Sequence, residues 1–280
     1  MKHRFRFSKE SKERVNDFGR ELPQAPVPAP AQEEKPEETA AEAPMETAIR
    51  TDVGLLRASN QDAPISGEGF LGVADGMGGH NGGETASACA KEKLEELLKD
   101  REPDPMALAN AVRAANRYIY LKAQEEPSLS GMGTTLTLLW AGAENMYIAH
   151  VGDSRCYLLR DGALTQVTDD HSLVMEMVRA GMLTREQAAV HSMRNVITRA
   201  VGTDAVMEPD ILVKKREKGD LWLICSDGLH GMVKDEEMQA ILTEHPLQEA
   251  ADLLIQAALD GGGKDNVTLA LLLDREGSHE

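Results

Sequence analysis

Four aspartates stand in short turns beside strongly apolar segments, each with glycine close by: Asp75 in VADGMGGHNGG, Asp153 in HVGDSR, Asp227 in LICSDGL and Asp265 in GGGKDNVT. One Asp-Gly pair is ordinary turn chemistry. Four such turns, three with Asp directly before or after an apolar strand candidate, point to a shared pocket. Carboxylates converging in one pocket repel each other and their pKa values rise, and a divalent cation removes that cost. Oxygen-only ligands suit the hard ions Mg²⁺ and Mn²⁺ and argue against zinc. Such an ion acidifies a bound water into a nucleophile, and two ions sharing a carboxylate can hold a hydroxide for in-line attack at phosphorus. Gly76, straight after Asp75, lets a backbone carbonyl approach an ion closely. A phosphate also needs a protein cation. Arg57 in TDVGLLRASNQD (51–62) supplies a planar fork that matches phosphate oxygens; standing alone, it would read as a surface arginine.

These residues need a scaffold that brings strand ends together. FLGVAD (70–75) reads as a buried strand ending in a turn. Residues 84–99 have helical spacing, with Ala88, Leu94, Leu97 and Leu98 as the apolar face, and Pro103 and Pro105 precede a second helix over about 105–124. Strand-like runs at 134–141, 145–151 and 154–160, joined by short turns, read as an antiparallel meander. Residues 171–190 look helical but are broken at Gly181. Strands follow near 207–213 and 220–225, then helices at 235–243 and 246–259, and a last strand at 266–273. This order suggests sheets flanked by helices, not a doubly wound parallel fold.

Composition bounds the rest. Of 280 residues, 41% are apolar, enough for a sizeable core, and the net charge is −17. So acidic a chain is a poor nucleic-acid binder. Cys89, Cys156 and Cys225 are odd in number and widely spaced, which excludes a disulfide framework and a zinc site and fits a reducing cytoplasm. No run approaches the roughly 18 apolar residues of a membrane span. Residues 1–46 differ from the remainder: a basic start with Phe5 and Phe7, then a Pro/Ala/Glu-rich stretch. They are expected to be a disordered tail and spacer before a domain over 47–275.

The segments TDVGLLRASNQD, VADGMGGHNGGE, SGMGTTLTLL, AHVGDSRCYLL, TDDHSLV, ITRAVG, LWLICSDGL and GGGKDNVTL, in that order, resemble the bacterial PPM-type, or type 2C, protein phosphatases. The resemblance runs from about Thr47 to Leu273. It implies an α+β fold, a four-layer α-β-β-α sandwich of two antiparallel sheets. It implies a protein serine/threonine phosphatase that hydrolyses phosphoserine or phosphothreonine by direct attack of a hydroxide bridging two Mn²⁺ or Mg²⁺ ions. By similarity, Asp75 bridges the ions, Gly76 offers its carbonyl to one, and Asp227 and Asp265 bind the other. Asp153 matches a third, weaker metal position shared with Asp227. Arg57 matches the phosphate-binding arginine, and Asp62 an acidic residue supporting the second ion through water. Residues 171–199 match a flap shaping substrate access. Two positions depart from the pattern: Gln61 replaces a frequent Glu, and Met77 stands where many eukaryotic members have a histidine general acid. His80, three residues on, could take that role, as could a metal-bound water. His150 reads as a packed core histidine, His171 as a flap residue or one backing up a ligand, Cys225 as buried wall, and Thr134 and Thr135 as structural. Expected partners are phosphoserine/phosphothreonine proteins and a cognate serine/threonine kinase. Two alternatives stay open: a phosphatase of small phosphoesters, and an inactive module that reads phosphoproteins. The complete set of main ligands and Arg57 argues against the latter.

Overall fold

The computed structural model describes residues 44–78 and 82–277. The expected tail up to residue 43 and His80 therefore lie outside the described residues. The elements run β1 Met45–Asp52, β2 Asp62–Gly67, β3 Phe70–Met77, α1 Gly82–Leu98, α2 Pro105–Glu125, β4 Gly133–Thr134, β5 Leu136–Ala141, β6 Asn145–Val151, β7 Arg155–Arg160, β8 Ala163–Gln166, α3 Leu173–Arg179 and α4 Arg185–Ala189. They continue with β9 Asp210–Lys215, β10 Leu221–Cys225, α5 Asp227–His230, α6 Asp235–Glu244, α7 Leu247–Asp260 and β11 Val267–Asp274. Local signals start and stop the helices. Pro105 opens α2 behind Asp104, whose carboxylate accepts the Ala107 N–H at 2.7 Å. Gly181, at φ +71°, separates α3 from α4, and α4 opens with a Thr184/Gln187 capping box.

One sheet has the order β1-β11-β10-β7-β8 and the other β2-β3-β5-β6-β9, every pairing antiparallel. Strand alternation sorts the side chains into three layers. On β3, Phe70 and Ala74 pack under α1 and α2, while Leu71 and Val73 face the other sheet. On β10, Leu221, Leu223 and Cys225 pack with Leu229 of α5, Met238 of α6 and Leu254 of α7, and Trp222 and Ile224 face inward. The inter-sheet layer holds Leu71, Val73, Leu139, Met146, Ile148, Cys156, Trp222, Ile224, Ala270 and Leu272. This is the α-β-β-α sandwich expected from the resemblance.

Two local expectations are corrected. The three runs from 134 to 160 are not one meander. β5 and β6 form a hairpin, but β6 then pairs β9, and β7 belongs to the other sheet between β10 and β8. The chain changes sheets at Gly152–Ser154, where Gly152 has φ +107° and a Cβ would lie 2.7 Å from Thr135. Nor does β3 stop at Asp75. It continues through Gly76 and Met77, which pair with Thr134 and Gly133 of β4.

Candidate active site

The inter-sheet layer turns polar at one pole. Continuing inward-facing parity past the apolar residues leads to Asp62, Asp75, Thr135, Thr137, His150, Ser154, Ser226 and Thr268. Burying so many polar groups costs free energy unless they bond to one another, and they do. The Asp75 N–H donates to Thr135 Oγ1 at 3.0 Å, and its carbonyl accepts the Thr135 N–H at 2.8 Å and the Thr134 hydroxyl at 2.9 Å. Thr135 Oγ1 meets Ser154 Oγ at 2.7 Å, and the Thr137 hydroxyl lies 2.9 Å from both the Ser154 carbonyl and His150 Nδ1. Thr134 and Thr135 thus do hold the strands around Asp75.

The five carboxylates singled out in the sequence meet here. Asp62 and Asp75 are direct cross-strand partners on β2 and β3. Asp153 lies in the crossing from β6 to β7, Asp227 is the first residue of α5 after β10, and Asp265 precedes β11. Asp75 has its carboxyl pushed well above the usual range by burial, then by Asp62, Asp227, Asp153 and Asp265. Burial with Asp153, Asp265 and Asp62 lifts Asp227 to about 8, although Arg57 opposes the rise. Burial lifts Asp62 to about 6 against hydrogen bonds that lower it, and burial with Asp170 lifts Asp153 to about 6. The Asp62 and Asp75 carboxyls are near enough to share a proton, but no group of three or more His, Cys, Asp or Glu among the described residues is gathered closely enough to form a ready-made metal cage. The donor set nevertheless suits a hard cation: all oxygen, and negative once a bound ion displaces the protons these raised pKa values retain. Two buried side-chain polar atoms among the described residues lack a hydrogen-bond partner; one is the Trp222 indole nitrogen in the apolar layer, and the other is Asp62 Oδ1 in this pocket.

The loop before β2 is stapled to the loop before β11. Asn266 accepts the Gln61 N–H at 2.8 Å and donates to the Val53 and Ser59 carbonyls at 2.9 Å each. Leu55 donates to the Gly263 carbonyl at 2.7 Å. These bonds place Arg57 where its Nη2 meets Asp265 Oδ2 at 2.5 Å, with both side chains part-exposed. Gly76 matters through space rather than backbone conformation: a Cβ there would lie 2.0 Å from the Gly83 carbonyl oxygen and 2.7 Å from that of Gln61. β3 and the start of α1 can approach this closely because neither side carries a side chain. Gln61 contributes its main chain, the carbonyl accepting the Gly76 N–H at 3.0 Å.

Asp170, Arg155, His230 and Ser226, all at this pole, received no such role from sequence. Asp170 binds the half-buried Arg155 guanidinium through three N–H···O contacts of 2.8–3.2 Å, and that pairing holds its carboxyl low against burial. His230 Nε2 meets the Asp153 carbonyl at 3.0 Å, its pKa driven to about 3 by burial. Ser226 donates to Asp62 Oδ2 at 2.7 Å. The signals available were the hydroxyl before Asp227 in SDG and the second Asp in TDDHS. His171 sits at the base of the 171–199 segment: Ser172 and Ile197 form an isolated bridge there, and the Thr198 N–H donates to the His171 carbonyl. The His171 ring accepts the Gly152 N–H at Nδ1, 3.0 Å, and its Nε2 lies 3.1 Å from Asp210 Oδ2 and 2.8 Å from Arg199 Nη1. It therefore braces the turn carrying Asp153. His150 is buried beside it, ring centroids 4.7 Å apart. Cys225 is fully buried in the wall, its thiol pushed up to about 12 by burial.

Comparison with known proteins adds an independent line. The protein phosphatase 2C model matches residues 58–260. The serine/threonine protein phosphatase PstP of Mycobacterium tuberculosis is 44% identical over 227 residues, 80% of this chain but 44% of the relative, so the chain spans less than half of that protein's length. The serine/threonine phosphatase stp of Listeria monocytogenes is 38% identical over 244 residues, covering 83% of this chain and 96% of the relative. The crystal structure of Mycobacterium tuberculosis PstP/Ppp superposes with a TM-score of 0.80 at 42% identity, over 83% of this chain and 99% of that one. A PstP catalytic domain in complex with two manganese ions superposes with a TM-score of 0.77 at 40% identity, over 83% and 99%. No helix among the described residues is long and apolar enough to cross a membrane. With the motifs in order, the sandwich in place and the family model covering most of the chain, this chain belongs to the protein phosphatase 2C family.

Proposed function

We propose that this chain is a metal-dependent protein serine/threonine phosphatase, with its catalytic domain over residues 47–275. The observation carrying the proposal is the meeting of Asp62, Asp75, Asp153, Asp227 and Asp265 with Arg57 at one pole of the sandwich, where the buried Asp62 Oδ1 has no hydrogen-bond partner. Relatives named serine/threonine phosphatases, and a similar catalytic domain with two manganese ions, support the same reading.

Two divalent ions would be held by Asp75, with the Gly76 carbonyl on one of them and Asp227 and Asp265 on the other, and Asp62 would support the second ion through water. Asp153, with Asp227, would hold a weaker third ion. Bound there, Mn²⁺ or Mg²⁺ supplies an acidified water for direct attack at phosphorus and neutralises the carboxylates. The chain's own residues do the rest. Arg57, engaged through Nη2 alone among the described contacts, turns its remaining N–H groups to the phosphate and orients it. Asp75 and Asp227 are each only partly exposed, which limits screening of the charges by bulk water. His80 is the candidate donor of a proton to the departing serine or threonine oxygen. Phosphoproteins are the substrates in this reading, a serine/threonine kinase the natural counterpart, and the cytoplasm the location.

The test is phosphate release from a phosphothreonine peptide, with Mn²⁺ and with EDTA. Turnover that needs the metal is expected. Turnover insensitive to EDTA would sink the metal assignment, and tight Mn²⁺ binding without turnover would make the chain a reader of phosphoproteins instead.

A further inference from the structure

Asp62 is gripped at its N–H and at one carboxylate oxygen, and the grip crosses from one sheet to the other. Its backbone N–H donates to Asn60 Oδ1 at 3.1 Å, and Asn60 Nδ2 donates to Thr51 Oγ1 at 2.8 Å. Thr51 Oγ1 in turn shares a hydrogen bond with Thr268 Oγ1, 2.8 Å away across the β1–β11 pair. The Thr268 N–H donates to Ser226 Oγ at 3.0 Å, and the Ser226 N–H returns to the Thr268 carbonyl at 3.0 Å. Ser226 Oγ has one proton to give. The carboxylate at 2.7 Å wins it over the Thr268 carbonyl at 3.5 Å, because a charged acceptor at short range makes the stronger bond. The ring Asp62–Ser226–Thr268–Thr51–Asn60 closes on itself. It leaves the buried Oδ1 of Asp62 without a well-formed hydrogen bond, with the Asp75 carboxyl and the Thr268 hydroxyl near the same carboxyl group.

We infer that Ser226 is a positioning residue: by occupying Oδ2 of Asp62 from the opposite sheet, it fixes the carboxylate rotation and commits Oδ1 to a divalent cation or its water. This rests on the metal reading of the pocket. A terminal carboxylate torsion is broad and two-fold when unrestrained, so without the hydroxyl neither oxygen is assigned. Ser226 is wholly buried, so solvent cannot stand in for the lost bond. Threonine at the position keeps the hydroxyl, whereas alanine removes both the donor to Asp62 and the acceptor of the Thr268 N–H.

The experiment is Mn²⁺ titration of the full chain by isothermal calorimetry for wild type, S226A, S226T and D62N, with folding checked by circular dichroism. S226A is expected to weaken Mn²⁺ binding by about 10- to 100-fold, the usual cost of losing a residue that orients a ligand. It should weaken the same binding step as D62N and shift the Mn²⁺ needed for half-maximal p-nitrophenyl phosphate hydrolysis by a similar factor. S226T should recover most of the affinity, a rescue that loss of packing alone would not give. A folded S226A with wild-type affinity, beside a weakened D62N, overturns the positioning role and leaves the metal site standing. Wild-type affinity in D62N removes Asp62 from the metal site, and this inference with it. Should S226A not fold, T51V breaks the ring one link further back: weakened binding supports the inference, and wild-type affinity overturns it.

Discussion

Asp227→Asn should make the metal-free protein more stable while abolishing its activity. The folded state raises the Asp227 pKa to about 8 from 3.8, by burial and by Asp153, Asp265 and Asp62. A group with a raised folded pKa contributes stability that is complete below the unfolded value and is lost as pH rises through the folded one. At pH 7 the wild type has lost the contribution of about three pH units, or about 4 kcal/mol at 1.36 kcal/mol per unit. Part of the strain passes to the neighbouring carboxylates when the charge is removed, so a gain of about 2–4 kcal/mol is expected, on the order of 5–10 °C in Tm for a domain of this size. The assay is urea unfolding in EDTA at pH 5, 6, 7 and 8. The advantage of the variant should be small at pH 5 and widen towards pH 8. Added Mn²⁺ should reverse the order, because ligand binding stabilises the wild type by mass action and the variant has lost a ligand. If the variant is no more stable than wild type in EDTA at pH 8, or its advantage does not change with pH, then Asp227 does not belong to a strained carboxylate cluster.

Asp75→Asn should lower phosphatase turnover by more than about a thousandfold, several kcal/mol of charge stabilisation, with an unchanged circular dichroism spectrum; near-normal turnover would remove Asp75 from the centre of the site. Arg57→Lys keeps the charge but loses the planar fork, so kcat/KM for a phosphopeptide should fall about 10- to 100-fold; an unchanged value would mean that Arg57 serves only its pairing with Asp265. Gly76→Ala places a Cβ 2.0 Å from the Gly83 carbonyl oxygen, so it should cost about 1–3 kcal/mol in thermal unfolding, and a wild-type Tm would refute the close approach. His150 is held neutral, its pKa lowered by burial from 6.5 to about 4. Its stabilisation is present above pH 6.5 and lost as pH falls towards 4, about 3 kcal/mol in all. His150→Gln should flatten that slope in urea titrations, and an unaltered slope would place the acid sensitivity elsewhere.

Much was legible before any coordinates because the chemistry-bearing residues sit in turns, where residue type and spacing are read directly. Asp75, Asp153, Asp227 and Asp265 announced themselves by standing beside apolar runs such as FLGVAD and LWLIC, and those runs are central strands buried on both faces. The long helices were equally plain, since one apolar stripe and the Asp104–Pro105 start define α2 without help from a partner. The strands that escaped notice, β1, β2 and β8, are all sheet edges. An edge strand is shaped by a single neighbour, so METAIRTD and DAPISG carry no continuous apolar run, and β2 even tolerates Pro64.

What only the tertiary structure decided is which turns share a pole, and through which side chains. Sequence order makes the segments at 145–151 and 154–160 look like neighbours in one sheet, yet Gly152 turns the chain across to the other. That single crossing brings Asp153 from one sheet to Asp227 from the other. The hydroxyls that hold the carboxylates, Thr135, Thr137, Ser226 and Thr268, look like ordinary strand residues in sequence. Their role depends on two sheets packing face to face, so that Ser226 on one meets Asp62 on the other, 164 residues away along the chain. Residue type and spacing determined that this chain could gather carboxylates around a hard cation. Long-range packing decided which oxygens are bonded and which one, Asp62 Oδ1, is left without a well-formed hydrogen bond.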